Sequence, residues 1–205
     1  GQLNVPLNIL TVPLWRDAPQ ALLAFCQQHA VTQVHCNREF GVNERRRDRA
    51  SYTLLAEHGI SMVGHHGNTL LVPGSVKTGS DNYYRVFTPF SKACREKLRT
   101  ASYQPLPIPN AQTKKPRVQA DAIPDRLPGW TPSTQTIVCG WPATEQTALD
   151  RLALFADARM EHYKRDRDYP AIAGTSTLSP YLAAGLISAA QCWQQALRLN
   201  HGELG

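Results

Sequence analysis

Four hydroxyl side chains and a glycine stand directly before a predicted helix start in the last quarter of the chain. Residues 174–180 read Gly-Thr-Ser-Thr-Leu-Ser-Pro, and Ser-Pro is a common way for a helix to begin. Free backbone N–H groups and the positive end of the helix dipole favour an anion there, and each hydroxyl can donate one further hydrogen bond. This segment, the hydroxyl loop, is therefore a candidate phosphate site. The spacing alone is more typical of a Ser/Thr-rich turn with its N-cap.

A second candidate lies a few residues upstream, where cations and acids alternate between Tyr163 and Tyr169. Such a run is usually a solvated helix end. Its functional interpretation gives Arg167 a contact with a DNA phosphate, and gives Tyr163 a stacking or hydrogen-bonding position at a cofactor.

The composition bounds the class of protein. The chain has 205 residues, of which 42% are hydrophobic, and this is enough for one large domain or two small ones. The net charge of +6 allows a polyanionic partner, because lysine and arginine that neutralise phosphates release condensed counterions. A solvated basic surface explains that charge equally well.

Five widely spaced cysteines without a CxxC pair indicate neither a disulfide framework nor a zinc site, and no metal site is predicted. A reducing cytoplasm fits them best. No apolar run approaches the roughly 18 residues needed to span a bilayer. The start at Gly1 is neither a signal peptide nor an initiator methionine, so we expect the chain to begin inside a longer protein.

The first third of the chain alternates between strand and helix patterns. Asn43 is predicted to cap the second helix, and Gly59 to end it. Strands joined by helices indicate a parallel sheet, with ligand-binding loops at the carboxyl ends of the strands. The predicted elements, in order, are a strand at 7–12, a helix at 17–29, a strand at 31–36, a helix to about His58 and a strand at 60–64.

The middle of the chain loses this periodicity, and the last part regains it as helix alone. Eight prolines between residues 104 and 142 oppose helix and central strand alike, although Thr88-Pro89 predicts one short helix. After Thr144, apolar residues follow helical spacing as far as Tyr163. We expect a helix that Ser179-Pro180 opens and Gly185 closes, and another that Ser188 caps. The predicted organisation is a partial α/β, Rossmann-like parallel-sheet domain at 1–66, a linker with a short helix at 67–143, and the start of an all-α domain at 144–205.

Three groups of residues resemble sequence motifs of the photolyase and cryptochrome family, and they occur in the family's order along the chain. The most specific is Tyr163-x-x-x-Arg167-Asp168-x-Pro170 followed by the hydroxyl loop, which is similar to the entry of the family's flavin domain. Thr78-Gly79 and then Tyr84-x-Val86-Phe87-Thr88-Pro89-Phe90 resemble its connector. Asn43-Glu44-Arg45-x-x-Asp48 resembles a motif of its antenna domain, so the first and last predicted domains would be the antenna domain and the beginning of the FAD-binding domain.

The resemblance implies roles for individual residues. Arg167 would contact DNA. Thr177 stands where relatives often carry a basic residue, so its backbone is the expected contact. Asn43 and Glu44 would hold a folate antenna, 5,10-methenyltetrahydrofolate, because a carboxylate can accept paired hydrogen bonds from a pterin edge. Asn followed by Glu is also simply a good helix start. The residues implied at FAD are Tyr163, Thr175, Ser176, Thr177, Leu178 and Ser179.

The function implied is light-driven repair of cyclobutane pyrimidine dimers in DNA by electron transfer from reduced FAD, as a deoxyribodipyrimidine photo-lyase. Damaged DNA is the expected partner of a monomeric, cytoplasmic enzyme that has no membrane contact. The family's electron-transfer tryptophans would lie beyond this chain, so no catalytic residue is assigned, the chain alone is expected to be inactive, and Trp141 and Trp193 are interpreted as packing residues. The alternatives are a cryptochrome-type light receptor without repair activity, and a basic nucleic-acid-binding module without a cofactor.

Overall fold

A computed structural model describes residues 3–100, 103–114, 118–125 and 140–202. The chain divides into two compact units. One, the α/β unit, comprises residues 1–66 and 107–132, and the other, the helical unit, comprises residues 67–106 and 133–205. The predicted division into three parts at residues 66 and 143 stays a prediction.

The α/β unit contains two helices and two parallel strands. Helix α2 connects the strands, which pair in register from Gln33 opposite Ser61 to Asn37 opposite His65. The predicted fold class is confirmed, and two of the three predicted strands occur within two residues of their expected positions. The elements are a 3-10 turn Trp15–Asp17, α1 Ala18–Gln28, β1 Gln33–Asn37, α2 Val42–Glu57 and β2 Ser61–His65.

The core of this unit lies between the two helices and the strand β2. Leu55 of α2 and Cys26 of α1 are almost fully buried, and they pack with Leu23 and Ile60. Burial raises the pKa of the Cys26 thiol, which is therefore a structural and not a reactive cysteine.

Helix α2 ends as the sequence predicts. Gly59 has a φ of +72°, its N–H donates to the carbonyl of Ala56, and the N–H of Ile60 donates to the carbonyl of Leu55. These two bonds form a Schellman motif, which satisfies carbonyl groups that the helix leaves open. The chain can therefore turn directly into β2.

The strand predicted at residues 7–12 is wrong. This segment has no regular structure, and residues 7–9 bond instead to residues 119–121. The carbonyl of Leu7 accepts from the N–H of Asp121, while the carboxylate of Asp121 accepts from the N–H of Ile9. A strand requires a ladder of backbone partners along its length, and side-chain bonds of this kind replace such a ladder.

The predicted N-cap of α2 is also wrong. The helix begins at Val42 with Gly41 as its N-cap, so Asn43 lies inside the first turn and makes no capping bond. The N-cap lies two residues before the predicted one, and this shift leaves the Asn43 side chain without a capping role.

The helical unit contains five helices within its described residues. The helix predicted at Thr88 begins one residue earlier, and the helix after Thr144 ends at Ala158, so Tyr163 belongs to a separate short helix. Their bounds are α3 Phe87–Thr100, α4 Glu145–Ala158, α5 Tyr163–Asp166, α6 Ser179–Ala183 and α7 Ala189–Leu199.

The caps of these helices follow the sequence closely. Ser188 accepts from the N–H of Gln191, and the Gln191 side chain returns to the N–H of Ser188, which completes a capping box at the start of α7. Gly185 closes α6 with a φ of +70°. Both predicted caps are confirmed, and the core formed behind them consists of Ala148, Leu152, Leu178, Tyr181 and Ile187.

Candidate functional site

The hydroxyl loop occupies the place that the sequence assigns to it, directly before α6. Leu178 is buried in the core of the helical unit, whereas Thr175 and Thr177 are exposed. Ser179 is the first residue of α6, and Ser176 is half-buried. The loop is thus anchored by one apolar side chain, while its hydroxyl groups remain near solvent.

Gly174 sets the start of the loop against the end of α5. A Cβ atom at this position would lie 2.6 Å from Cβ of Asp166 and 2.7 Å from its backbone carbon. No L side chain fits there, so glycine is required by close approach. The contact places the loop beside the residue that immediately precedes Arg167.

Asp166 is itself held by its neighbour. Its carboxylate accepts from Nε of Arg165 at 2.6 Å and from Nη2 at 3.0 Å, in a two-bond pairing. These hydrogen bonds lower the pKa of Asp166. Arg165 is therefore already paired with a carboxylate at this end of the loop.

Tyr163 and Arg167 lie one helical turn apart and touch. The guanidinium carbon of Arg167 stands 5.6 Å from the centre of the Tyr163 ring, while Phe155 meets the same ring edge-on at 5.8 Å. Tyr163 is 39% exposed, and Arg167 is exposed and lies 3.7 Å from the carboxylate of Asp168. The arrangement leaves a stacked, outward-facing cation beside the loop-bearing segment.

A feature that the sequence did not reveal holds Thr177 in place. Arg151 of α4 donates from Nη1 to the Thr177 hydroxyl at 3.0 Å, and the indole N–H of Trp141 donates to the Thr177 carbonyl at 3.3 Å. Trp141 therefore bonds to the loop in addition to packing. No local pattern could have identified either residue, because 26 and 36 positions separate them from Thr177.

Asn43 and Glu44 lie in the α/β unit and line one cleft, of about 630 Å³. This volume is within the range of small-molecule sites. Trp15, which is 52% exposed, forms an apolar wall. The other lining residues are Arg16, Pro19, Arg46, Arg47 and Ala50.

Glu44 points back over the helix start. A Cβ atom at residue 41 would stand 2.0 Å from Oε2 of Glu44, so the carboxylate occupies space that only glycine leaves open. Gly41 thus decides where the acid of this cleft can lie, and the sequence alone did not show why that position is glycine.

Arg47 lines one side of the cleft, and its guanidinium already bonds to two carboxylates. It donates to Glu39 at 2.7 Å and to Asp48 at 2.6 Å, and its guanidinium stands 4.8 Å from the Trp15 ring centre. Burial works to lower the pKa of Arg47, but its hydrogen bonds to the carboxylates of Glu39 and Asp48 raise the pKa overall. The residue fixes Trp15 and remains charged.

Two histidines pair across the parallel strands of the α/β unit. His65 ends β2, and its ring bonds to His35 at 2.8 Å without a further ligand nearby. The described ranges contain no cluster of three or more metal-ligating side chains. No helix within them is both long enough and apolar enough to cross a bilayer.

Comparison with known proteins places the chain in a family. The family model described as DNA photolyase matches residues 1–110, which is more than half of the chain. The chain belongs to the DNA photolyase family. The matched residues include the Asn43-Glu44 motif and the Thr88-Pro89 connector, whereas the segment from Tyr163 to Ser179 lies beyond them.

Individual members of this family are similar over nearly the whole chain. The deoxyribodipyrimidine photo-lyase of Vibrio cholerae is 34% identical over 205 residues, and that of Escherichia coli is 31% identical over 198 residues. These alignments cover 97% and 95% of this chain but only 41% and 40% of the relatives. The chain thus spans about two fifths of the length of the curated photolyases it matches.

Solved structures agree with the assignment. The crystal structure of a bacterial class III photolyase from Agrobacterium tumefaciens superposes with a TM-score of 0.72 at 28% identity, covering 92% of this chain and 39% of that one. A Synechocystis cryptochrome has a TM-score of 0.66 at 22% identity and shows the shared fold only. The fold of a photolyase is therefore established for the described residues.

Proposed function

We propose that this chain is part of the antenna domain, the linker and the beginning of the flavin domain of a deoxyribodipyrimidine photo-lyase, whose full-length form repairs cyclobutane pyrimidine dimers in DNA. The observation that carries the proposal is the hydroxyl loop. Its hydroxyl groups stand at a helix start, and one of them, that of Thr177, accepts from the guanidinium of Arg151. Hydroxyl groups with a nearby guanidinium are a chemistry that binds phosphate groups. FAD offers two such groups.

The hydroxyl loop and Tyr163 would contact different parts of FAD. The hydroxyls of Thr175, Ser176 and Ser179 donate hydrogen bonds to the phosphates, and the backbones of Thr177 and Leu178 line the same turn. Tyr163 contributes the edge or face of its ring. Bound FAD supplies the light-absorbing and electron-donating chemistry, and the protein contributes binding, orientation and exclusion of water.

Arg167 would contact a phosphate of the damaged strand. It is exposed and supported by the Tyr163 ring, and its ion pair with Asp168 is long at 3.7 Å. We expect Arg167→Ala in the full-length protein to weaken binding to dimer-containing DNA by roughly tenfold and to lower the slope of log K against log salt by about 1. Binding titrations at several salt concentrations would measure both. Lys164→Ala, a nearby exposed cation of the same short helix, is the matched control, and an equal effect of both variants would contradict a specific contact.

The cleft at Asn43 and Glu44 would hold the antenna, 5,10-methenyltetrahydrofolate. Its walls fit a planar conjugated ring, because Trp15 offers an apolar face and Glu44 offers paired acceptors for ring N–H donors. Glu44→Gln is expected to reduce folate retention about tenfold or more, since a neutral amide replaces a charged acceptor. Near-ultraviolet absorbance of the purified full-length protein measures retention, and Glu57→Gln, on the same helix outside this cleft, is the control.

Light-dependent loss of cyclobutane dimers tests the whole proposal. A dimer-containing oligonucleotide is incubated with the full-length protein carrying reduced FAD, in blue light and in darkness. Loss in light alone supports photolyase activity. No loss from a preparation that contains reduced FAD would overturn it and favour a light receptor, and a preparation that cannot bind FAD would favour a colourless nucleic-acid-binding module. We further propose that the protein acts as a monomer in the cytoplasm.

A further inference from the structure

Arg151 occupies an unusual position in the helical unit. It projects from the middle of α4, is half-buried, and is flanked by two aromatic rings, since its guanidinium carbon stands 5.7 Å from the ring centres of both Trp141 and Tyr181. It also donates to the carbonyl of Gly140 and to the Thr177 hydroxyl. These four neighbours hold a flexible side chain in one place.

The charge of Arg151 has no acidic counterpart among the residues that the structure describes. The contrast with two other arginines is direct. Arg47 bonds to Glu39 and Asp48, and Arg165 bonds to Asp166 through two nitrogens. A partly buried cation without a carboxylate is costly unless something else neutralises it, and a bound anion would do so.

The loop residue that Arg151 contacts is held in an uncommon backbone conformation. Thr177 has a φ of +52°, which a β-branched residue rarely adopts. The hydroxyl is held by Arg151 and the carbonyl by Trp141, so side chains from outside the loop bond to both oxygen atoms of the same residue. The strained turn is therefore maintained by contacts from distant parts of the chain.

We propose that Arg151 is the cationic member of the phosphate-binding site, supplied from α4 because the hydroxyl loop carries no basic side chain of its own. The guanidinium would share its N–H donors between Thr177 and a phosphate oxygen of FAD, and it would keep the loop in its binding shape. The planar guanidinium has five N–H donors, and the described contacts use two of them. Such a group can therefore bond to Thr177 and to a phosphate oxygen at the same time. The inference rests on the proposed function, because it assumes that the loop binds FAD.

Comparison of FAD with riboflavin separates the charge of Arg151 from its packing. Both ligands have the same ring system, but only FAD carries phosphates. In the full-length apoprotein, Arg151→Met keeps most of the side-chain volume and removes the charge. We expect FAD to bind roughly 10- to 100-fold more weakly, and riboflavin to bind within about twofold of the unmodified protein. Fluorescence quenching titrations measure both affinities, with Arg159→Met at the end of α4 as the control.

A second substitution tests whether the position of the charge matters. Adding Thr177→Arg to the Arg151→Met protein returns a cation to the loop itself, and we expect it to restore at least half of the lost affinity for FAD on a logarithmic scale. If Arg151→Met fails to fold, Arg151→Lys replaces it, with an expected loss of roughly 3- to 10-fold for FAD alone. Unchanged FAD affinity, or an equal loss for both ligands, would overturn the inference. An unmodified protein that binds no FAD would instead overturn the proposed function.

Discussion

The two candidate sites are built differently. In the α/β unit, Asn43 and Glu44 lie in the first turn of a long helix, away from the core residues Leu23, Cys26, Leu55 and Ile60. In the helical unit, the hydroxyl loop contributes Leu178 to the core and leads into Tyr181, another core residue. The Asn43-Glu44 site therefore lies outside the core residues of its unit, whereas the hydroxyl loop shares residues with the core of its unit.

This difference predicts how stability and binding are coupled. Where a site is set upon a core, a substitution in the core changes the free energy of unfolding but leaves the site's groups in place. Where loop and core share residues, the same substitution changes both. Substitutions in the two cores therefore test whether a site that shares core residues loses ligand affinity when its core is destabilised.

The largest effect is expected from truncating a core leucine in each unit. Leu178→Ala and Leu55→Ala should each lower the free energy of unfolding by about 2–5 kcal/mol, because both side chains are buried. Only Leu178→Ala should also weaken FAD binding, since it loosens the loop. Denaturant unfolding and ligand titration of the full-length protein, below the unfolding midpoint, measure both quantities. If Leu55→Ala abolished folate binding in a folded protein, the comparison would be broken.

The next largest effect on stability is expected from the glycines, of which one lies at each site. Gly174→Ala would place a methyl group 2.7 Å from the backbone of Asp166, and a backbone cannot yield cheaply. We expect a loss of roughly 1–3 kcal/mol in stability together with weaker FAD binding. Gly79→Ala, which meets nothing within 4 Å, is the control.

Gly41→Ala meets only the flexible end of Glu44, which can rotate away. Its cost in stability should therefore stay below about 0.5 kcal/mol, while folate retention falls because the carboxylate is displaced. Thermal unfolding and absorbance of the same preparations separate the two effects. Equal destabilisation by Gly41→Ala and Gly174→Ala would show that the geometric distinction between them has no consequence.

The smallest effect distinguishes a capping residue from one that is left for a ligand. Ser188→Ala removes a capping-box bond and should cost about 1 kcal/mol. Asn43→Ala removes no capping bond and should cost less than about 0.5 kcal/mol, although folate retention should fall. A cost near 1 kcal/mol for Asn43→Ala would restore the helix-cap interpretation that the structure contradicts. Thermal unfolding curves resolve the difference.

Much of the fold followed from local chemistry. Gly59 and Gly185 end helices because each lies where a left-handed residue is needed, and Ser188 with Gln191 forms a capping box within four consecutive residues. Both strands and both long helices of the α/β unit were also predictable, because their periodicity is read within short windows. The positions of the hydroxyl loop, of Tyr163 and of the Asn43-Glu44 pair were likewise evident.

The errors arose where a partner decides the outcome. Residues 7–12 have strand composition, but composition supplies no ladder, and the side chain of Asp121 bonds to the segment from more than 100 positions away. The N-cap of α2 is Gly41, two residues before the predicted Asn43. Because of this shift, Asn43 lines the cleft and does not cap the helix.

The sequence by itself determined the family, the glycine ends of two helices, the cap of α7 and the residue types of both candidate sites, because these depend on neighbours a few positions apart. Only the tertiary structure decided which distant groups complete them. Arg151 and Trp141 hold Thr177 across 26 and 36 positions, and Trp15 meets Arg47 across 32. Such contacts depend on how helices pack, and packing is settled by shape and burial over the whole unit, which no short window of sequence contains.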